Sequence, residues 1–368
     1  MESILPCNHP DDDEDFIVML YDMFAEKPLS PDIVQNMVFN PFKTNDDVRV
    51  PLFDVDPDIQ FYTDMNYLNI RTSNYYSEDL FNTTISNLGF KHPLSFLHSN
   101  IRSLKAHHVE LEAYLGMLNF EFSILGISES WLTEVNCDLY PLSDYNLIEQ
   151  HRESRSGGGV CIFVKSDIPF QERSDLNRNS SVLECIFLEM DKCVFCTNKN
   201  IIVGVVYRPP DTNVSDFIDT FGEVLTIINK EKKLGYIMGD FNLDLFKCDN
   251  HAPTSEYLDM MYSFSFFPLI SRPTRVTSKT ASLIDKKICN QLHCPSKQLS
   301  GILCTDISDH FTIFHVHQDI YQSEQEQYFI TRKINTTTKD LFLSKLNAVN
   351  WDPMMSIDDT QLAYDIFH

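Results

Sequence analysis

Nowhere in its 368 residues does this chain hold an uninterrupted apolar run of about eighteen, the length a membrane-spanning helix needs. A basic leader is missing too. Acidic residues, Asp11-Asp12-Asp13-Glu14-Asp15 among them, crowd the N-terminal region where a secretory or mitochondrial signal would carry positive charge. These absences predict a soluble, intracellular protein with no membrane partner. Internal repeats are absent. Cys193-x-x-Cys196 has no second pair at a matching distance, so the ten cysteines read as reduced thiols rather than zinc or disulfide frameworks. An excess of positive charge is also missing, the net charge being −24. That deficit is uneven: residues 1–90 hold −13 of it, residues 91–318 only −7 and residues 319–368 −4. The acid-rich first quarter reads as a solvated, mostly disordered segment, with a short helix over Phe16 to Phe24 as a minor feature. The smaller deficit of the middle includes clustered acids whose charge a bound divalent ion would partly cancel.

Apolar residues from Leu234 to Met238 form a buried-strand pattern that breaks at Gly239-Asp240-Phe241-Asn242. A strand ending in a carboxylate presents it at the rim of a sheet. Asp240 and Asn242, two apart, share a side in an extended chain, one able to hold a metal or accept a proton, the other able to donate to an anionic oxygen. Three more apolar runs end alike: Leu94 to His98 at Ser99-Asn100, Phe122 to Ile127 at Ser128-Glu129-Ser130, and Ile201 to Val206 at Tyr207-Arg208-Pro209-Pro210. Ser308-Asp309-His310 stands directly before another run, Phe311 to Val316, and Leu283-Ile284-Asp285 sets a carboxylate in apolar context. Such groups gathered at one edge make a site for a divalent cation and a phosphate.

The folded domain is expected over residues 93–318, after a leader over 1–92 and before a linker over 319–368. Lys105 to Leu118 reads as a helix with Val109, Leu111, Tyr114, Leu115 and Leu118 on its apolar face, between two strands. Gly157-Gly158-Gly159 reads as a tight turn or a close backbone approach, and Leu183 to Glu189 with Ile201 to Val206 as a hairpin. Many β-branched strands with too few crossover helices for a doubly wound sheet suggest mixed sheets packed face to face with helices outside.

Taken in order, Asn100, Ser128-Glu129-Ser130-Trp131-Leu132, Gly157-Gly158-Gly159-Val160, Tyr207-Arg208-Pro209-Pro210, Gly239-Asp240-Phe241-Asn242, Leu283-Ile284-Asp285 and Ser308-Asp309-His310 resemble the endonuclease domain of non-LTR (LINE-type) retrotransposons. That domain belongs to the exonuclease-endonuclease-phosphatase superfamily. The resemblance implies a four-layer α/β sandwich and hydrolysis of DNA phosphodiester bonds with Mg²⁺ or Mn²⁺. It implies Glu129 as the main metal ligand, with Asn100 beside it and Asp309 near the ion. Asp240 would position or activate the attacking water, Asn242 would donate to the phosphorane oxygens, His310 held by Asp285 would stand next to the phosphate, and Tyr207 would contact it. Residues 319–368 resemble the start of the connector that precedes a reverse transcriptase, a domain this chain does not reach.

A cationic rim of Arg102, Arg152, Arg155, Arg208, Arg272 and Arg275 would favour double-stranded DNA as partner, and a nuclear place of action would follow from that function. A phosphoesterase acting on RNA, nucleotides or phosphoinositides would share the same core, and an inactive binding protein is the third reading. Lys286-Lys287 depart from the family pattern of His or Asn followed by an apolar residue. They mark either a decaying copy or an added phosphate contact, and they bear on the strand that carries Asp285.

Overall fold

The computed structural model describes residues 73–152, 157–248, 250–277, 280–290, 296–319 and 336–351. The acidic run, the helix over Phe16 to Phe24, Arg155 and residues 320–335 and 352–368 of the linker lie outside the described residues.

In chain order the strands are β1 Asn74–Tyr76, β2 Leu94–Asn100, β3 Ile124–Ser128, β4 Tyr145–Gln150, β5 Val160–Lys165, β6 Gln171–Glu172, β7 Arg178–Asn179 and β8 Glu184–Met190. They continue with β9 Ile201–Tyr207, β10 Leu234–Asp240, β11 Phe267–Pro268, β12 Arg275–Val276, β13 Ala281–Ser282, β14 Asp285–Cys289, β15 Ser296–Leu303 and β16 Thr312–Asp319. The helices are α1 Glu78–Leu88, α2 Leu104–Met117, α3 Val214–Glu231, α4 Ala252–Ser263 and α5 Thr336–Ala348.

Two large mixed sheets result. The first runs β1-β15-β16-β2-β3-β5-β4 and the second β11-β14-β10-β9-β8-β6, with β7 also on β8. Only where a helix intervenes do consecutive large strands pair in parallel: β2-α2-β3 and β9-α3-β10. The β8–β9 hairpin is antiparallel, as its sequence suggests. Every residue of β2, β3, β9 and β10 is buried, which is why these strands read as unbroken apolar runs: both their faces are covered.

The layers follow from strand parity. Phe96, Ile124 and Ile162 of the first sheet meet Leu188, Val203, Tyr236 and Met238 of the second between the sheets. On the outer face of the first sheet, Phe81 of α1 and Leu111 and Tyr114 of α2 pack on Leu97, Leu125 and Phe314. On that of the second, Phe217, Phe221 and Leu225 of α3 and Tyr257 of α4 pack on Ile202, Val206 and Ile237. Each such side chain contributes about 1.5–3 kcal/mol on burial. This is the expected four-layer sandwich. The caps are explicit: Asn213 accepts from Ser215 N at 2.9 Å to start α3, and Ser77 accepts from Leu80 N to start α1.

Some expectations shift. The fold begins before residue 93, because β1 pairs in parallel with β15, Asn74 opposite Gly301, and α1 buries Phe81 and Ile85. Val109 points outward from α2 and is 75% exposed, because it lies off the face set by Leu104, Leu111 and Tyr114. Lys286 and Lys287 are both buried in an intact β14. Being adjacent, they face opposite sides of the sheet. Lys286 Nζ donates to Leu243 O at 2.6 Å and Ile284 O at 3.3 Å, between the rings of Phe241 and Tyr257. Lys287 Nζ lies 3.2 Å from the Phe96 ring centre with no hydrogen-bond partner, and burial pushes its amine well below the ordinary lysine range.

α5 belongs to a second compact unit, in which Trp351 Nε1 donates to Leu346 O at 3.1 Å. No helix among the described residues is long and apolar enough to cross a membrane. Cys193 and Cys196 are exposed in the β8–β9 connection.

Candidate active site

Alternation along a strand decides what reaches the site. In β10, Leu234, Tyr236 and Met238 face the other sheet, so Asp240 does as well. The same count turns Asn100 of β2, Tyr207 of β9 and Asp285 of β14 inward. The register sets them side by side: Asp240 lies opposite Tyr207 on one flank and Asp285 on the other, and Asn100 lies opposite Ser128, next to Glu129. Gly239 allows β10 to press onto β9 there, since a Cβ at this residue would collide with the Val206 carbonyl oxygen.

Asn100 joins the sheets. Its Nδ2 donates to Glu129 Oε1 at 3.0 Å and to Asp240 Oδ2 at 2.8 Å, while its Oδ1 is buried without a partner. Asp240 also accepts from Asn242 N at 2.9 Å and Asn242 Nδ2 at 3.1 Å. The second Nδ2 hydrogen of Asn242 goes to Arg208 O at 2.8 Å, so both are used within the protein. Burial, helped by the nearby Asp285 charge, pushes the Asp240 carboxyl up to about 7.

Asp285 and His310 form the expected pair, His310 Nδ1 to Asp285 Oδ2 at 2.8 Å, both buried. Burial opposes charge on each of them. The mutual attraction prevails, holding Asp285 below the carboxylate range and raising the imidazole to about 9. The pair is therefore an imidazolium–carboxylate at neutral pH. Thr274, which the sequence reading missed, donates its hydroxyl to Asp285 Oδ2 at 2.7 Å and accepts from Asp285 N at 3.0 Å. Burial raises the Tyr207 phenol, which stays protonated.

The five described arginines of the proposed rim, Arg102, Arg152, Arg208, Arg272 and Arg275, part company. Arg102 Nη1 donates to Asp309 Oδ1 at 2.9 Å, and Arg275 donates through Nε and Nη2 to Asp309 Oδ2 at 2.9 and 2.6 Å. Their side chains are 51% and 40% exposed. Both oxygens of Asp309 are thus engaged by cations, which hold its carboxyl down at about 2 against the effect of burial. Arg208 is buried and donates to the backbone oxygens of Pro209, Pro210, Asn242 and Thr212, a loop clamp rather than a rim cation. Arg272 is buried against the Tyr75 ring. Arg152 pairs with Glu184, a buried carboxylate that also accepts from Gly159 N at 2.6 Å. The inward phase of Glu184 on β8 was a usable signal for it, of the same kind as that of Asp240.

Two groupings could hold an ion. Asp240, Asp285 and His310 bring one ligand atom each within 4.8 Å of one another, but the imidazole Nδ1 is already bonded to Asp285. Glu129 and Asn100 offer hard oxygen ligands, and the unpartnered Asn100 Oδ1 is an acceptor in need of a cation. The second grouping suits a hard divalent ion better.

The AP endonuclease LMAP from Leishmania major superposes on this chain with a TM-score of 0.51 at 12% identity, covering 70% of this chain and 98% of that one. The fold is shared. Lesser scores relate the chain to the endonuclease domain of TRAS1, a telomere-specific non-LTR retrotransposon (TM-score 0.47, 15% identity, 61% and 98% covered). They also relate it to an endonuclease/exonuclease/phosphatase family protein from Bacteroides thetaiotaomicron (TM-score 0.45, 13% identity, 64% and 98% covered). No protein-family model and no curated protein matches the sequence.

Proposed function

We propose that the chain is a divalent-metal-dependent endonuclease that hydrolyses DNA phosphodiester bonds, nicking its target in the retrotransposon manner that the sequence resemblance suggests. The observation that carries this reading is the Asn100 amide, bonded at once to Glu129 and Asp240 with its oxygen left over in a buried site. Glu129 and Asn100 would hold Mg²⁺ or Mn²⁺, which when bound would supply cancellation of the negative charge on the phosphate oxygens.

The protein's own groups do the rest. Asp240, fixed by Asn242 N and Asn100 Nδ2 and raised towards neutrality by burial, takes a proton from the attacking water. Asn242 is a positioning residue for that carboxylate. His310, an imidazolium because Asp285 holds its Nδ1, keeps its Nε2 proton for a phosphate oxygen, and the protonated Tyr207 is a second donor. Arg102 and Arg275, held in place by Asp309, neutralise neighbouring phosphates of the strand. That the relative of shared fold is an AP endonuclease supports nucleic acid as the substrate class.

Nicking of supercoiled plasmid in Mg²⁺ that stops in EDTA is the expected result. Equal nicking in EDTA overturns the metal requirement. Turnover of an RNA, a nucleotide or a phosphoinositide with none of plasmid overturns the substrate.

A further inference from the structure

Trp131 has no part in the hydrolytic set, yet it stands two residues from Glu129 with 41% of its surface exposed. The residue is not loosely held. Its backbone is left-handed, φ 54°, a conformation uncommon for a bulky side chain. Its amide donates to Gly158 O at 2.9 Å, and that of Ser130 donates to Gly159 O at 3.1 Å. Its Nε1 points to Glu129 Oε2 at 3.4 Å.

The glycines explain how the ring is carried. A Cβ added at Gly157 would stand 3.5–3.8 Å from Nε1, Cε2 and Cζ2 of the indole, so the ring rests against bare backbone. Gly157, Gly158 and Gly159 have φ of 83°, 73° and 80°, open to glycine and strained for other residues. A Cβ at Gly158 would also overlap the Arg152 guanidinium. That guanidinium and Gly159 N both bind the buried Glu184, which anchors the frame in the second sheet. Strained backbone over-determined by its surroundings is characteristic of ligand clamps.

We infer that Trp131 is a stacking platform for one nucleobase of the substrate strand, set beside the scissile phosphate by the glycine frame. The inference rests on the nuclease reading and narrows it to a strand whose base is free to leave the helical stack. Every nucleobase has a π face, so stacking of this kind is tolerant of sequence. An inositol headgroup has none. The adjacent Glu129 carboxylate would repel an anionic headgroup from the indole but accepts a neutral base.

The chain has two tryptophans, so the full-length Trp351→Phe variant makes Trp131 the sole indole reporter. With EDTA present to prevent cleavage, a single-stranded oligothymidylate should quench its fluorescence saturably, and inositol trisphosphate should not. Trp131→Ala should weaken oligonucleotide binding by about 5- to 150-fold, raising KM more than it lowers kcat, while Trp131→Tyr should recover most of the loss. Wild-type nicking with no quenching, quenching by inositol trisphosphate alone, or an alanine variant that folds and binds DNA as tightly as wild type each overturns the platform and leaves the nuclease reading standing. A wild-type chain that neither nicks nor binds DNA overturns both.

Discussion

The two sheets end at the site in opposite ways. On the second sheet, Asp240 and Asp285 are almost wholly buried; Asp285 is bonded to His310 from the loop before β16, and Asp240 is held by Asn100 and Asn242. On the first, Glu129, Trp131 and Arg102 lie past the strand ends, all three with left-handed backbones of φ 50°, 54° and 47°, and with side chains that reach solvent. One half is chemistry set in advance by burial; the other is a set of ligand-facing groups held by backbone constraint. Asn100 is the hinge between them. The contrast matches what a hydrolase of phosphate esters requires, since groups aimed at developing charge work best when they need no rearrangement, whereas ion and substrate must come and go.

Substitutions can break this division. The largest effect is expected on the buried half: Asp240→Asn keeps the shape and should cut nicking by roughly 10²–10⁴-fold at saturating Mg²⁺. Glu129→Gln, in the open half, should instead raise the Mg²⁺ concentration needed for half-maximal rate. Identical metal titration curves for Glu129→Gln and wild type would erase the distinction. Next, His310→Ala should lower kcat about 10²–10³-fold with little change in DNA affinity, as expected for a lost donor to transition-state charge. An equal loss in affinity would move His310 to the binding half.

Smaller effects are expected from the lysines under the buried half. Lys286→Met leaves the Leu243 and Ile284 carbonyls without their donor and should lower stability by about 1–3 kcal/mol in urea titrations, with slower nicking because those carbonyls flank Asn242 and Asp285. Lys287→Met removes an unpartnered buried amine and should raise stability at pH 7 by about 1–3 kcal/mol. The pH dependence tests the sign. The folded pKa of Lys287 lies below its unfolded value, so between the two the unfolded chain binds more protons. Its contribution to stability therefore grows as pH rises towards the unfolded lysine pKa, by at most about 1.4 kcal/mol per pH unit. Lys287→Met should flatten that part of the slope, and an unchanged slope would mean the amine keeps its charge when folded.

How far the sequence reached depended on the kind of inference. The ends of apolar runs were enough to bring Asn100, Glu129, Tyr207 and Asp240 to one edge of the sheets, with His310 at the start of another run, whereas the pairing of Asp285 with His310 came from the family resemblance. The arginines were legible as cations but not as to side: Arg208 and Arg272 turn inward to carbonyls and a ring, whereas Arg102 and Arg275 stay at the mouth. Their partners are far away in sequence, and no local pattern encodes that. β1 was missed for the same reason, as a three-residue strand is recognisable only through its pairing with β15. Lys287 was legible as a misfit at a buried position. What could not be read was that the strand tolerates it, keeping the Asp285–His310 bond at 2.8 Å.

The place of β16 has a consequence for how the molecule is made. It is the last of the described strands, yet it lies in the interior of the first sheet, between β15 and β2. A growing chain that has emerged only as far as β15 therefore leaves the apolar β2 with an open edge, the sort of surface that pairs with a neighbouring chain on the same message. His310, two residues before β16, reaches Asp285 only when that gap closes.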